Sequence, residues 1–246
     1  MFVQAVAERI LYEDNHLIVV NKLPGELIQG DRSGDSTLGE VLTEYIRDRD
    51  AKPGNVFLGV THRLDRPTSG VVVFAKTSKA LSRLNALFRE GKVEKRYWAL
   101  VDNPPPAEEG SFEDLLWKDS KKNKSFIVAP GKGAVKNAKR ALLTYRFLAK
   151  GDRYYLLELD IATGRHHQIR CQLAARGMHV RGDLKYGARR SNPDGGISLH
   201  ARSLAFEHPV GEKGRHVNCV APPPSEPLWD YFLHVPGIEK EIDTDV

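Results

Sequence analysis

The chain has 246 residues, 41% hydrophobic and 28% charged, and its 37 Lys and Arg against 32 Asp and Glu leave a formal charge of +5. That balance belongs to a folded globular chain and excludes wholesale disorder and collagen-like repeats. The longest apolar run, Val71 to Ala75, falls far short of the about 20 residues of a membrane span.

Taken in order, Ile10 to Tyr12 and Leu17 to Asn21 read as short strands around an Asp14-Asn15 turn. Thr37 caps a helix to about Arg49, with Leu38, Val41, Leu42 and Tyr45 on one face. Val56 to Thr61 reads as a strand leading into His62, and Val71 to Ala75 as a short buried strand. Ser78 caps a second helix carrying Leu81, Leu84, Leu87 and Phe88, with Gly91 as its stop. Tyr97 to Val101 is another strand. Asp102 to Lys136 opens on three prolines and reads as a loop-rich excursion. Ala141 to Leu148 and Tyr154 to Ile161 form a hairpin, and His166 to Arg176 a helix ended by Gly177. Leu199 to Phe206 and His216 to Val220 are strands, and Ser225 caps a last short helix with Leu228, Trp229 and Phe232. Strands and helices mix without regular β-α-β alternation. The expectation is therefore an α+β fold, a mixed, largely antiparallel central sheet with flanking helices. Because strand pattern resumes after the excursion, residues 1–246 are read as a single domain.

No basic-then-apolar leader is visible at the N-terminus. Two cysteines, Cys171 and Cys219, cannot frame a disulfide scaffold and fit a reducing cytoplasm, the expected location. A monomer is the default.

The positive charge is concentrated. Lys118 to Arg140 holds eight basic residues and one acid, and Thr163 to Arg190 holds seven and one, although the whole chain is only +5. Glycines and aromatic residues lie among these cations. That mixture suits a polyanion with faces to stack on, and RNA is the expected partner, with no membrane.

The chain lacks a phosphate-binding loop, a dinucleotide glycine fingerprint and a Gly-x-Ser-x-Gly elbow. It has no His-Glu-x-x-His and no cysteine pair at zinc spacing. The neighbours His166 and His167 are read as helix residues pointing different ways. Any chemistry is therefore expected to run on side chains, with no cofactor and no metal. The densest segment is Thr61-His62-Arg63-Leu64-Asp65-Arg66-Pro67-Thr68-Ser69-Gly70. One carboxylate, Asp65, lies between two guanidinium groups, an arrangement that suits a nucleophile at an anomeric carbon and equally an ion-paired structural loop. A second segment is Thr163-Gly164-Arg165-His166-His167-Gln168-Ile169-Arg170. Read as a strand-to-helix turn, it offers free N–H groups and Arg165 to a phosphate, and Arg170 to a carboxylate.

His62-Arg63-Leu64-Asp65 followed by Thr68-Ser69-Gly70 resembles the catalytic motif of the RluA-type pseudouridine synthases. Four further segments agree in order. Asn21-Lys22 with Gly25 resembles the family's opening. Lys95 to Val101 resembles its Lys-x-Tyr-x-Ala strand, and Thr163-Gly164-Arg165 with His167 to Arg170 its third motif. Gly182-Asp183-x-x-Tyr186-Gly187, with Leu199-His200-Ala201 and Leu204-x-Phe206-x-His208-Pro209, resembles its C-terminal signature. The resemblance spans about residues 10 to 235. It departs at Leu23, Gln29 and Pro67.

The resemblance implies an RNA pseudouridine synthase that isomerises uridine in ribosomal or transfer RNA without a cofactor. It casts Asp65 as the nucleophile, at C1′ or C6, and Tyr97 as the tyrosine on the flipped base. Arg170 is the arginine paired with the aspartate. Arg63 enters the gap left by the base, and Ile169 lines the base pocket. His62 and Arg165 are added as RNA contacts. No N-terminal S4-type domain is expected, which leaves RNA selection to Lys118–Arg140. The competing readings are an inactive RNA-binding protein on the same fold and a nucleoside or glycoside hydrolase. The latter usually places two acids.

Overall fold

The structure, a computed structural model, describes residues 6–31, 33–51, 53–129, 135–211 and 214–238. Two compact units emerge among the described residues: those up to 94 with 201–224, and 95–200 with 225–238.

In the first unit, β1 (Ile10–Glu13) pairs antiparallel with β2 (Leu17–Lys22), and β2 with β4 (Ser69–Ala75). The Asp14 carboxylate accepts the N–H groups of His16 and Leu17, which closes the β1–β2 turn. The apolar runs Leu17–Val20 and Val71–Ala75 are buried on both faces and form the core. Helix α1 (Leu38–Arg49) starts in a capping box in which Thr37 and Glu40 exchange bonds, and it buries Leu38, Leu42 and Ile46. Helix α2 (Ser78–Arg89) is capped by Thr77, one residue before the expected Ser78. The strand expected over Val56–Thr61 is only β3 (Gly59–Val60), against Ala75 and Phe74 of β4. Beyond it, side chains replace the ladder: Thr61 Oγ1 donates to the Val73 carbonyl, and His62 Nε2 accepts the Val73 N–H. β10 (Leu199–Glu207) lies beside β4 and pairs antiparallel with β11 (His216–Val220).

In the second unit, β5 (Glu94–Val101) pairs with β9 (Tyr155–Ile161), β9 with β8 (Lys139–Lys150), β8 with β6 (Glu109–Asp119) and β6 with β7 (Lys124–Ile127). All four pairings are antiparallel, as the α+β reading expects. The loop-rich reading of Asp102–Lys136 is corrected here, since β6 and β7 form a hairpin closed around Asn123. Lys132 of the basic stretch lies outside the described residues.

Helix α3 is Gln168–Ala174, shorter than the expected His166–Arg176. His167 holds a left-handed backbone, φ 51°, so helical geometry starts only after it. The two histidines do not point apart: their rings stack with centroids 3.7 Å apart. The final helix, α4 (Pro227–Leu233), is capped by the Glu226 carboxylate rather than by Ser225, and it buries Trp229 and Phe232. Among the described residues no helix is long and apolar enough to cross a membrane.

Candidate functional site

Asp65 lies in the first unit on the loop between β3 and β4. Its carbonyl accepts the Thr68 N–H at 3.0 Å, a turn that returns the chain to β4. Leu64 is buried beneath the loop while Asp65 is half-buried. The loop's anchor is Lys22 at the end of β2, whose residue is 0% exposed. Its ammonium donates to the carbonyls of Leu23, Arg66 and Thr68 at 2.9, 3.0 and 2.6 Å. Burial pushes this amine down to about 8, against the opposing pull of Glu26 and Asp65. A cation that grips two carbonyls just after Asp65, those of Arg66 and Thr68, fixes the turn and places positive charge near the carboxylate.

The two arginines flanking Asp65 in sequence are held elsewhere. Arg66 pairs with Asp35 and donates through Nε to the Gly25 carbonyl, while Gly25 N–H returns a bond to the Arg66 carbonyl. Arg63 is exposed, and its Nη1 donates to Gln29 Oε1 at 2.8 Å. The expected bracing of the carboxylate by its two neighbours is therefore corrected. Both guanidinium groups reach outward to the 25–35 loop. His62 is a framework residue: besides its bond to Val73, its ring stacks on Phe88 at 4.7 Å.

Gly70 closes the motif at φ 116°, where a Cβ would lie 2.3 Å from the Ala201 carbonyl oxygen. Only glycine permits that approach of β4 to β10.

The second unit carries Tyr97 and Arg170. Tyr97 is on β5 opposite Leu159 and is 9% exposed. Arg170 is on α3, 5% exposed, beside the buried Ile169. The Arg170 guanidinium forks onto Asp183, Nε to Oδ2 at 2.6 Å and Nη2 to Oδ1 at 2.8 Å, and Asp183 is 1% exposed. The Tyr186 ring centroid lies 5.1 Å from the same guanidinium. The Tyr186 hydroxyl accepts the Ser125 N–H and sits 3.0 Å from His167 Nδ1. Burial, with the nearby Arg170 charge, drives the His167 imidazole down to about 2, so it is neutral at working pH. Asp183 and Tyr186, which stand in the C-terminal motif and carry no role in the sequence expectation, are the residues that hold Arg170.

Arg165 is exposed and its Nε donates to the Arg140 carbonyl. The Arg165 backbone N–H goes to the Gln168 side chain. The expected helix-terminal phosphate cradle is corrected on that account: the helix begins at Gln168, and a side chain of this chain takes the preceding N–H. The segment keeps a guanidinium facing solvent. Among the described residues no group of three or more His, Cys, Asp or Glu is placed to hold a metal ion.

The sequence pattern of the family described as RNA pseudouridylate synthase matches residues 16–175. A ribosomal large subunit pseudouridine synthase D from Zymomonas mobilis is 32% identical over 220 residues, covering 85% of this chain and 68% of the relative. A ribosomal large subunit pseudouridine synthase C from Buchnera aphidicola is 35% identical over 226 residues, covering 87% and 66%. Among solved structures, human RNA pseudouridylate synthase domain containing 4 superposes with a TM-score of 0.75 at 25% identity, covering 94% of each chain.

Proposed function

We propose a mechanism from one premise: the chain belongs to the RNA pseudouridylate synthase family and is an isomerase acting on uridine in RNA. Asp65 is the nucleophile. Its carboxylate adds to the target nucleotide, at C1′ or at C6, and is released when the product forms. The N1–C1′ bond breaks, the uracil turns, C5 bonds to C1′, the C5 proton leaves, and N1 ends protonated. Atoms balance without a co-reactant because substrate and product are isomers.

Tyr97 packs on the base and takes the C5 proton, and Arg170 is the cationic partner of the nucleophile. Support for these two roles comes from their places in the family motifs. Ile169 lines the base pocket. Extrusion of the base costs about a few kcal/mol. Arg63, held by Gln29 in the free protein, leaves that bond to fill the gap, and Arg165 meets a phosphate. His62 acts through the loop it holds. On this reading residues 1–246 work as one catalytic domain. The substrate is ribosomal RNA, by likeness to the relatives above, and the protein acts as a monomer in the cytoplasm. Its two buried thiols, both free and raised to about 11 by burial, suit a reducing compartment.

The observation that carries the assignment is the Lys22 grip. A buried ammonium is costly, and this one is tied to the Arg66 and Thr68 carbonyls of the turn that follows the half-buried Asp65, which supports a carboxylate that must be held still. The test is Asp65→Asn. Pseudouridine formation in ribosomal RNA should fall at least about a thousandfold while RNA binding persists. An Asn variant that still isomerises uridine refutes the assignment.

A further inference from the structure

The β6–β7 hairpin carries a feature that the reaction itself does not use. Trp117 and Phe126 are direct cross-strand partners, and their rings stack with centroids 5.4 Å apart and planes 26° from parallel. Both are only half-buried, although large aromatic rings normally gain most by full burial. Two ammonium groups lie over the Phe126 ring, Lys122 Nζ at 5.9 Å and Lys124 Nζ at 5.6 Å from its centroid. Lys122 is exposed. Asp119, the acid at this tip, accepts the backbone N–H groups of Lys121 and Lys122 and so shapes the turn. Stacked flat rings with two ammonium groups beside them match the two parts of a nucleotide, base and phosphate.

This surface adjoins the Arg170 region within the same unit. Lys124 Nζ lies 4.7 Å from the Tyr186 ring centroid, and the Arg170 guanidinium lies 5.1 Å from that same centroid. One tyrosine thus separates the hairpin's ammonium from the guanidinium assigned to the reaction. Ser125 of β7 locks the contact by bonding the Tyr186 hydroxyl and the His166 ring.

We propose that Trp117 and Phe126, with Lys122 and Lys124, form a stacking platform for one unpaired nucleotide of the RNA strand that flanks the target uridine. The proposal rests on the RNA-isomerase reading and adds a second anchoring point to it. Stacking tolerates any base, so the platform selects for an unpaired strand and sets its register rather than reading sequence. Such a platform gives the chain a hold on loops and bulges.

Intrinsic fluorescence tests this directly, because Trp98 and Trp229 are 0% and 2% exposed, which leaves Trp117 as the tryptophan a base can reach. The probe is a short oligouridylate added to the full chain carrying Asp65→Asn, with an RNA duplex of equal length as comparator. The single strand should quench the emission and the duplex should not. Trp117→Phe should abolish the quenching while filter binding persists. Phe126→Ala should weaken single-strand binding about tenfold. Lys122→Gln, a change at an exposed position, should reduce the slope of log affinity against log salt by about 0.7.

Quenching that survives Trp117→Phe, equal quenching by duplex, or wild-type affinity in Phe126→Ala overturns the platform. So does an aromatic patch that no RNA quenches, which would mark it as a protein-docking surface. Failure of the parent reading looks different, since the unsubstituted chain would then form no pseudouridine in RNA whatever the hairpin does.

Discussion

The Asp65 loop and the Arg170 helix solve one problem, holding a charged side chain still, in opposite ways. The loop is fastened by a cation that meets neutral acceptors, three backbone carbonyls around Lys22. The helix residue is fastened charge to charge, by a fork onto the buried Asp183. A carbonyl grip fixes the backbone that follows the carboxylate-bearing residue. A carboxylate fork fixes the side chain itself and offsets much of its charge. On the mechanism proposed above, the nucleophile is held through its backbone and its cationic partner through its side chain.

The sharpest way to break the contrast is Asp183→Asn. Removing the carboxylate that takes Nε and Nη2 of a buried guanidinium should destabilise the protein by about 3–5 kcal/mol, read by chemical denaturation. A loss under about 1 kcal/mol would show that the fork contributes little. Gly70→Ala attacks the other region at its exit. The side chain would meet backbone at a positive φ, and the expected loss is about 2–4 kcal/mol, with isomerisation falling alongside.

Lys22→Met should cost less in stability, about 2 kcal/mol. It strands three carbonyls but relieves a buried charge. Activity should fall much further than stability does, and unchanged turnover would detach Lys22 from the reaction.

Two further effects are in pH, one on the alkaline side and one on the acid side. Lys22 holds its proton to about 8 when folded and to about 10.5 when unfolded. The unfolded chain therefore binds more protons between those values, and this group's contribution to stability rises with pH across that window. His167 titrates near 2 folded and near 6.5 unfolded. Its contribution is full above about 6.5 and is lost on acidification below it. The alkaline slope should vanish in Lys22→Met and the acid slope should flatten in His167→Asn, each followed by unfolding midpoints. A slope that survives its own substitution assigns it to another group.

What was legible in the sequence follows from locality. Thr37 with Glu40 announces α1 within one turn, and the Asp65 motif is contiguous, so both were found. The β6 strand was missed because its inward positions do not alternate cleanly. Phe112 and Leu116 are buried, but Asp114 between them faces α3 and accepts from Gln172 and Arg176. A polar residue on an inner face erases the period-two signal. The early start given to α3 was a backbone matter, a left-handed histidine that side-chain pattern does not reveal. The Lys22 carbonyls and the Asp183 fork escaped because they join residues with no fixed spacing. Arg63 and Arg66 misled for a related reason: adjacency in the chain said nothing of where each long side chain would reach.

The close approach of Gly70 to Ala201 carries a consequence for synthesis. The N-terminal unit lacks its last strands until the polypeptide has been made past residue 200, and two more of its ties, Asp14 with His208 and Asn21 with the Pro222 carbonyl, arrive later still. While the ribosome translates the intervening stretch, β4 waits with an unpaired border, the condition in which nascent chains mispair. A chain halted at residue 200 should accordingly be cut by protease within residues 6–94, and extension to residue 224 should bring protection.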